Sequence, residues 1–156
     1  MTRTEISKEL ESAYAREFRI IAEQVALQAA VSAASEFRRL LSQWCEHDLA
    51  HARRLGRRLF RLELTPPGTK VLARLWPDLP GPGSEVNSPT AVLRALRAEN
   101  INHYQQILLL CEGGDVVTQD LIIEILSQEQ SDAEALSKLK ESELLELPPD
   151  ADWWNH

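Results

Sequence analysis

Four stretches of this chain repeat apolar residues at alternating steps of three and four, the spacing that keeps side chains on one helical face. Each stripe is interrupted near its middle by acids. The first reads Ile6, Leu10, Ala13, Glu17, Ile20, Gln24, Leu27, Val31, and the second Phe37, Leu41, Trp44, Asp48, His51, Leu55. The third reads Val92, Leu96, Glu99, His103, Gln106, Leu110, and the fourth Ile122, Ile125, Glu129, Asp132, Leu136, Leu139. On this reading five carboxylates and two imidazoles point into one core, with no Lys or Arg on the stripes. A dry interior does not hold that much negative charge without cations or protons. A bound metal cluster is the simplest compensation.

The chain's 156 residues suit a single domain, and 44% hydrophobic with 26% charged residues is ordinary for a globular protein. No apolar run reaches the length of a membrane span, and the first residues lack the layout of a secretory signal. Cys45 and Cys111 stand far apart in no CxxC arrangement, as expected of reduced thiols in a cytoplasmic protein. A net charge of −7 argues against nucleic acid as a partner and suits a surface that gathers cations. The basic cluster Arg53, Arg54, Arg57, Arg58 and Arg61 reads as a solvated face or subunit contact, away from the stripe.

The spacing predicts helices over about 4–31, 35–64, 88–112 and 116–141. Thr65-Pro66-Pro67-Gly68 ends the second, because consecutive prolines remove donors and clash with a continuing helix. Residues 65–88 then form a long connection rich in proline, read as irregular. Such a length makes sense if the chain must travel from one end of a bundle to the other, making the second and third helices parallel. Ser88-Pro89 opens the third helix as N-cap and first-turn proline, and Gly113-Gly114-Asp115 stops it. The expected fold is all-α: a four-helix bundle over residues 1–142 with one long crossover connection between helices two and three. Residues 143–156 form a tail whose Trp153-Trp154 pair is expected to dock on a neighbouring surface.

Dimetal carboxylate bundles take one Glu from each of two helices and a Glu-x-x-His pair from each of the other two. The three-residue step puts both donors on one side of a helix, a turn apart. Glu17 and Glu99 fill the single places, Asp48-Leu49-Ala50-His51 the first pair, and Glu129-Gln130-Ser131-Asp132 the second. The expected metal ligands are therefore Glu17, Asp48, His51, Glu99, Glu129 and Asp132. His103 and Gln24 are expected beside them, orienting the ligands. Glu46 and His47 point elsewhere by helical angle, and Cys45 carries no chemistry.

These residues resemble a bacterioferritin, within the ferritin-like superfamily. The stretch Asp120-Leu121-Ile122-Ile123-Glu124-Ile125-Leu126-Ser127-Gln128-Glu129 is similar to the family's corresponding helix. So is His51-Ala52-Arg53-Arg54-Leu55 running to Phe60-Arg61-Leu62-Glu63-Leu64-Thr65-Pro66. The resemblance implies a 24-subunit hollow cage, alone or mixed with another ferritin subunit. It also implies oxidation of ferrous iron at an intrasubunit di-iron site, and mineral storage. Leu49 falls where haem-binding bacterioferritins carry methionine, which argues against haem as a cofactor. Asp48 stands where the family has Glu and Asp132 where it has His, making the site harder and more negative. Gln24 replaces a tyrosine, and the family's short fifth helix is replaced by the Pro-Pro and Trp-Trp tail.

Two functions follow as expectations. The first is a ferroxidase-type iron-storage protein using oxygen or peroxide, with iron ions and further copies of the chain as partners. The second is a non-catalytic structural subunit with a degenerate metal site, suggested by the altered pair and the tail. A rubrerythrin-like oxidase is disfavoured because no four-cysteine iron module is present, and a DNA-protecting mini-ferritin because there is no basic tail.

Overall fold

A computed structural model describes residues 3–79 and 88–139. Among these residues, the long elements are α1 (Arg3–Ala30), α2 (Glu36–Glu63), α4 (Pro89–Cys111) and α5 (Val116–Ser137). The short α3 (Thr69–Leu75) and a 3-10 turn (Trp76–Asp78) lie in the connection. That connection was expected to be irregular, but the run after Gly68 has no proline until Pro77 and so closes two helical turns.

Local chemistry sets the helix ends. Ser35 caps α2 by accepting from the Arg38 N–H at 3.0 Å, and Arg38 reaches back to the Val31 carbonyl at 3.3 Å. Leu64 closes α2 in the left-handed region at φ 61°, its N–H donating to the Phe60 carbonyl at 2.7 Å. A non-glycine residue accepts that conformation at a cost of roughly 1–2 kcal/mol, and Pro66 and Pro67 follow before another helical turn can form. Ser88 caps α4 through the Ala91 N–H at 3.2 Å. Gly113, at φ +75°, turns the chain after α4, and Asp115 caps α5 through the Thr118 N–H at 3.0 Å. The helix α5 ends at Ser137, short of the expected residue 141. The Trp153-Trp154 tail lies outside the described residues.

Two apolar clusters fill the two ends of the bundle. One joins Ile6 and Leu10 of α1, Leu55 and Leu59 of α2, Ile107 and Cys111 of α4, and Ile122 and Ile125 of α5. The other joins Leu27 and Val31, Phe37 and Leu41, Leu93 and Leu96, and Leu136. Each fully buried Leu, Ile or Phe contributes roughly 1.5–3 kcal/mol. The order of these residues fixes direction: α2 and α4 both start in the second cluster and end in the first, so they run parallel. Of the connection between them, residues 64–79 are described. The described part lies along α1, where Arg19 donates to the Leu79 carbonyl at 3.1 Å.

Between the clusters, at mid-height, the core is polar. Glu17, Gln24, Asp48, His51, Arg97, Asn100, Glu129 and Asp132 are all buried there or beside it. No helix among the described residues is long and apolar enough to cross a membrane.

Candidate functional site

Three helices supply donors to the polar layer. Glu17 comes from α1, Asp48 and His51 from α2, and Glu129 from α5, each from the middle of its stripe. One ligand atom of each lies within 4.8 Å of the others, and all four side chains are buried. His51 is the hub. Its Nδ1 is 3.2 Å from Glu129 Oε1, 3.6 Å from Glu17 Oε1 and 3.8 Å from Asp48 Oδ1. Such a set of hard oxygen donors with one imidazole can bind a metal ion.

The fourth helix contributes a cation. Arg97 of α4, 2% exposed, donates from Nη1 to Asp48 Oδ1 at 2.7 Å and to Glu129 Oε2 at 2.9 Å. Its Nη2 donates to Asp48 Oδ2 at 3.2 Å and to Gln24 Oε1 at 3.0 Å. Gln24 completes the ring by donating from Nε2 to Asp48 Oδ2 at 2.8 Å. The stripes had been read as free of Lys and Arg, and Arg97 overturns that.

The reason is a one-residue slip. The buried α4 positions include Leu93, Arg97, Asn100, Tyr104, Ile107 and Cys111, one step beyond the expected line, of which Leu96 and His103 are buried but Val92, Glu99, Gln106 and Leu110 are not. Residues 97 and 99 lie about 200° apart around a helix, so turning Arg97 inward turns Glu99 away. Glu99 is half-buried, lies outside the four-donor group and acts electrostatically on Arg16. A signal for the correct face was present: the expected stripe would have left Tyr104 and Ile107 off the core and put Gln106 into it.

Asp132 is buried but also outside the group. His47 Nδ1 lies 2.9 Å from its Oδ2, and Gln128 donates to its Oδ1 at 3.0 Å. The α2 imidazole expected to point elsewhere therefore faces α5. His103 pairs with Glu9, Nε2 to Oε2 at 2.7 Å, and not with Glu99 or Gln106. Gln24 reaches the site directly, and it and Gln28 also donate to the Cys45 sulfur, at 3.6 and 3.3 Å. Burial pushes the Cys45 thiol up to about 11.

Electrostatics divides the carboxylates into unlike roles. Burial, reinforced by the nearby Glu129, raises the Glu17 carboxyl far above the usual range. The Tyr104 hydroxyl donates to its Oε1, while its Oε2 has no partner. Burial raises Asp48 to about 6 against the pull of Arg97. For Glu129 burial works in the same direction, but Arg97 and His51 override it and hold the group at about 2. His51 is likewise disfavoured as a cation by burial, yet its bonds to Glu129 and Glu17 lift it to about 10. At neutral pH the anions Asp48 and Glu129 thus face the cations Arg97 and His51.

Residues 8–143 match the ferritin-like domain family. The chain belongs to that family. Among solved structures, the ferritin-like fold is shared with a dodecameric thioferritin, the bacterioferritin-related protein of Bacteroides fragilis. Identity to it is 18%, with 88% of this chain and 84% of that one covered at a TM-score of 0.75. A Dps1 mutant of Mycobacterium smegmatis matches at 16% identity, covering 86% and 94%, TM-score 0.71. A protein of Xanthomonas campestris pv. campestris matches at 21%, covering 90% of each, TM-score 0.73. No curated protein matches the sequence. The ferritin-like assignment rests on nearly the whole described bundle.

Proposed function

We propose that this ferritin-like chain is an iron-handling subunit of a homo-oligomeric shell in the cytoplasm. In this reading Glu17, Asp48, His51 and Glu129 hold metal at the bundle centre. The observation that carries it is the convergence of four buried donors from three helices within 4.8 Å. The unpartnered Oε2 of Glu17 adds a donor atom with nothing yet to bind. Ferrous iron would be the cargo. Bound metal would supply redox chemistry towards oxygen or peroxide, while the protein supplies ligand geometry and charge. The dodecameric state of the Bacteroides fragilis protein supports a closed assembly here, as a dodecamer or a 24-subunit cage. The two free cysteines are compatible with a reducing compartment.

A second reading, a structural shell subunit without ferroxidase activity, is favoured by one observation. Arg97 already satisfies both oxygens of Asp48 and one of Glu129. Anaerobic titration with Fe²⁺ separates the two. The wild-type chain is expected to bind at the centre and Glu17→Ala to lose that binding while keeping its helical content. Equal binding by the two proteins would remove metal from the bundle centre and leave the structural reading. Native mass measurement of the same sample gives the copy number.

A further inference from the structure

The four long helices do not contribute alike to the centre. Among the described residues, helices α1, α2 and α5 bring carboxylates and an imidazole, whereas α4 brings the Arg97 guanidinium and the Tyr104 hydroxyl but no metal-ligating group. Arg97 lies on the Asp48 side, where its two terminal nitrogens engage both Asp48 oxygens, Glu129 Oε2 and Gln24 Oε1. Outside that set of hydrogen bonds, Glu17 Oε2 is buried and unpartnered, and His51 Nδ1 lies 3.6 Å from Glu17 Oε1 and 3.2 Å from Glu129 Oε1. Both Asp48 oxygens are thus taken, while Glu17 has a donor atom to spare.

We infer that Arg97 takes the place of one metal ion, so that this centre accepts a single divalent cation, bound among Glu17, His51 and Glu129, and not a pair. The inference rests on the metal-binding reading above and specifies its stoichiometry. Charge decides it. With His51 binding as a neutral imidazole, its proton displaced by the metal, three carboxylates are neutralised by one dication together with one guanidinium. A second dication would leave two uncompensated positive charges in a buried layer, which low-dielectric surroundings oppose strongly. The guanidinium cannot escape the conflict by losing its proton, as an imidazole or ammonium could. Nor can it turn easily to water, because it is 2% exposed and held by four hydrogen bonds. The donors fit one ion, and the pair expected from the sequence does not fit beside Arg97.

The test is the number of ions bound by the full-length, metal-stripped protein under anaerobic conditions, using Co²⁺ and Zn²⁺ in calorimetric titration with metal analysis. Sites at the centre are those lost in Glu17→Ala. Wild type is expected to bind one ion there, and Arg97→Lys, which keeps the charge, also one. Arg97→Glu replaces the cation with a fourth carboxylate and is expected to bind two, with a second visible absorption component from Co²⁺. Two central ions in the wild-type chain would overturn the inference while leaving the metal-binding reading intact. No central ion in wild type would overturn the metal-binding reading and the inference with it. A folded Arg97→Glu variant that still binds one ion also counts against the role given to Arg97. If that variant does not fold, the wild-type and Arg97→Lys counts decide.

Discussion

Two arginines reach across the bundle to carboxylates, and their surroundings give the same chemistry different meanings. Arg58 of α2 donates to both oxygens of Asp115 at 2.9 Å and to Thr118 Oγ1 at 2.9 Å, near the turn between α4 and α5. Its side chain is 16% exposed and its partner's 14%. Arg97 of α4 engages Asp48 and Glu129 in the bundle centre, where the pair is essentially closed to solvent. At the turn, water and salt share the work of balancing charge, so the pair mainly steadies a helix cap. At the centre only buried side chains do this, Arg97 and His51 chief among them. There the guanidinium determines whether the carboxylates can coexist and what else may join them.

The comparison is broken most severely by Arg97→Leu. Removing the cation leaves Asp48 and Glu129 facing each other in the core, and the expected loss is about 3–5 kcal/mol in urea unfolding of the metal-free protein. A loss below about 1 kcal/mol would mean that the centre is wetter than its burial indicates. Asp115→Ala removes the α5 cap and the Arg58 partner together, for an expected loss of about 1–2 kcal/mol in the same assay. The smallest effect is a pH dependence confined to the turn. Bonds from Thr118 and Arg58 hold the Asp115 carboxyl below its ordinary value despite the burial that opposes them. Its contribution is therefore full above the ordinary carboxylate value of 3.8 and disappears as pH falls through the lowered one. Urea midpoints of wild type and Asp115→Asn should converge across that acid range, and a gap that persists below it would refute the assignment.

Where a helix carries one strong apolar stripe, its sequence alone identifies the buried face. On α1, α2 and α5 the residues read as inward-facing are buried from Ile6 to Val31, Phe37 to Leu55 and Ile122 to Leu136. The α4 helix offers nearly equal apolar content on adjacent lines, with Leu93, Leu96, Leu108, Leu109 and Leu110 spread around it. Period alone does not choose between such lines. The bulk of Tyr104 and Ile107 chooses, and with them Arg97 comes inward while Leu109 stays 72% exposed. Because Glu99 sits two residues from Arg97, this small slip exchanged an anion for a cation at the centre. The pairing of Asp132 with His47 was hidden for a different reason. It is a contact between α2 and α5 set by how the two helices are rotated against each other, which no single helix's pattern encodes.

The apolar plugs at both ends of the bundle have a consequence for traffic. Along the bundle axis, Leu10, Leu55 and Ile122 pack at one end and Leu27, Phe37 and Leu41 at the other, surfaces that hydrated ions avoid. Polar groups instead run sideways. One turn from His51 and Glu129, on the same two helices, His47 faces Asp132, and the His47 side chain is 27% exposed. A solute bound for the interior would thus meet an imidazole–carboxylate gatepost at the flank between α2 and α5, followed by a second of the same chemistry.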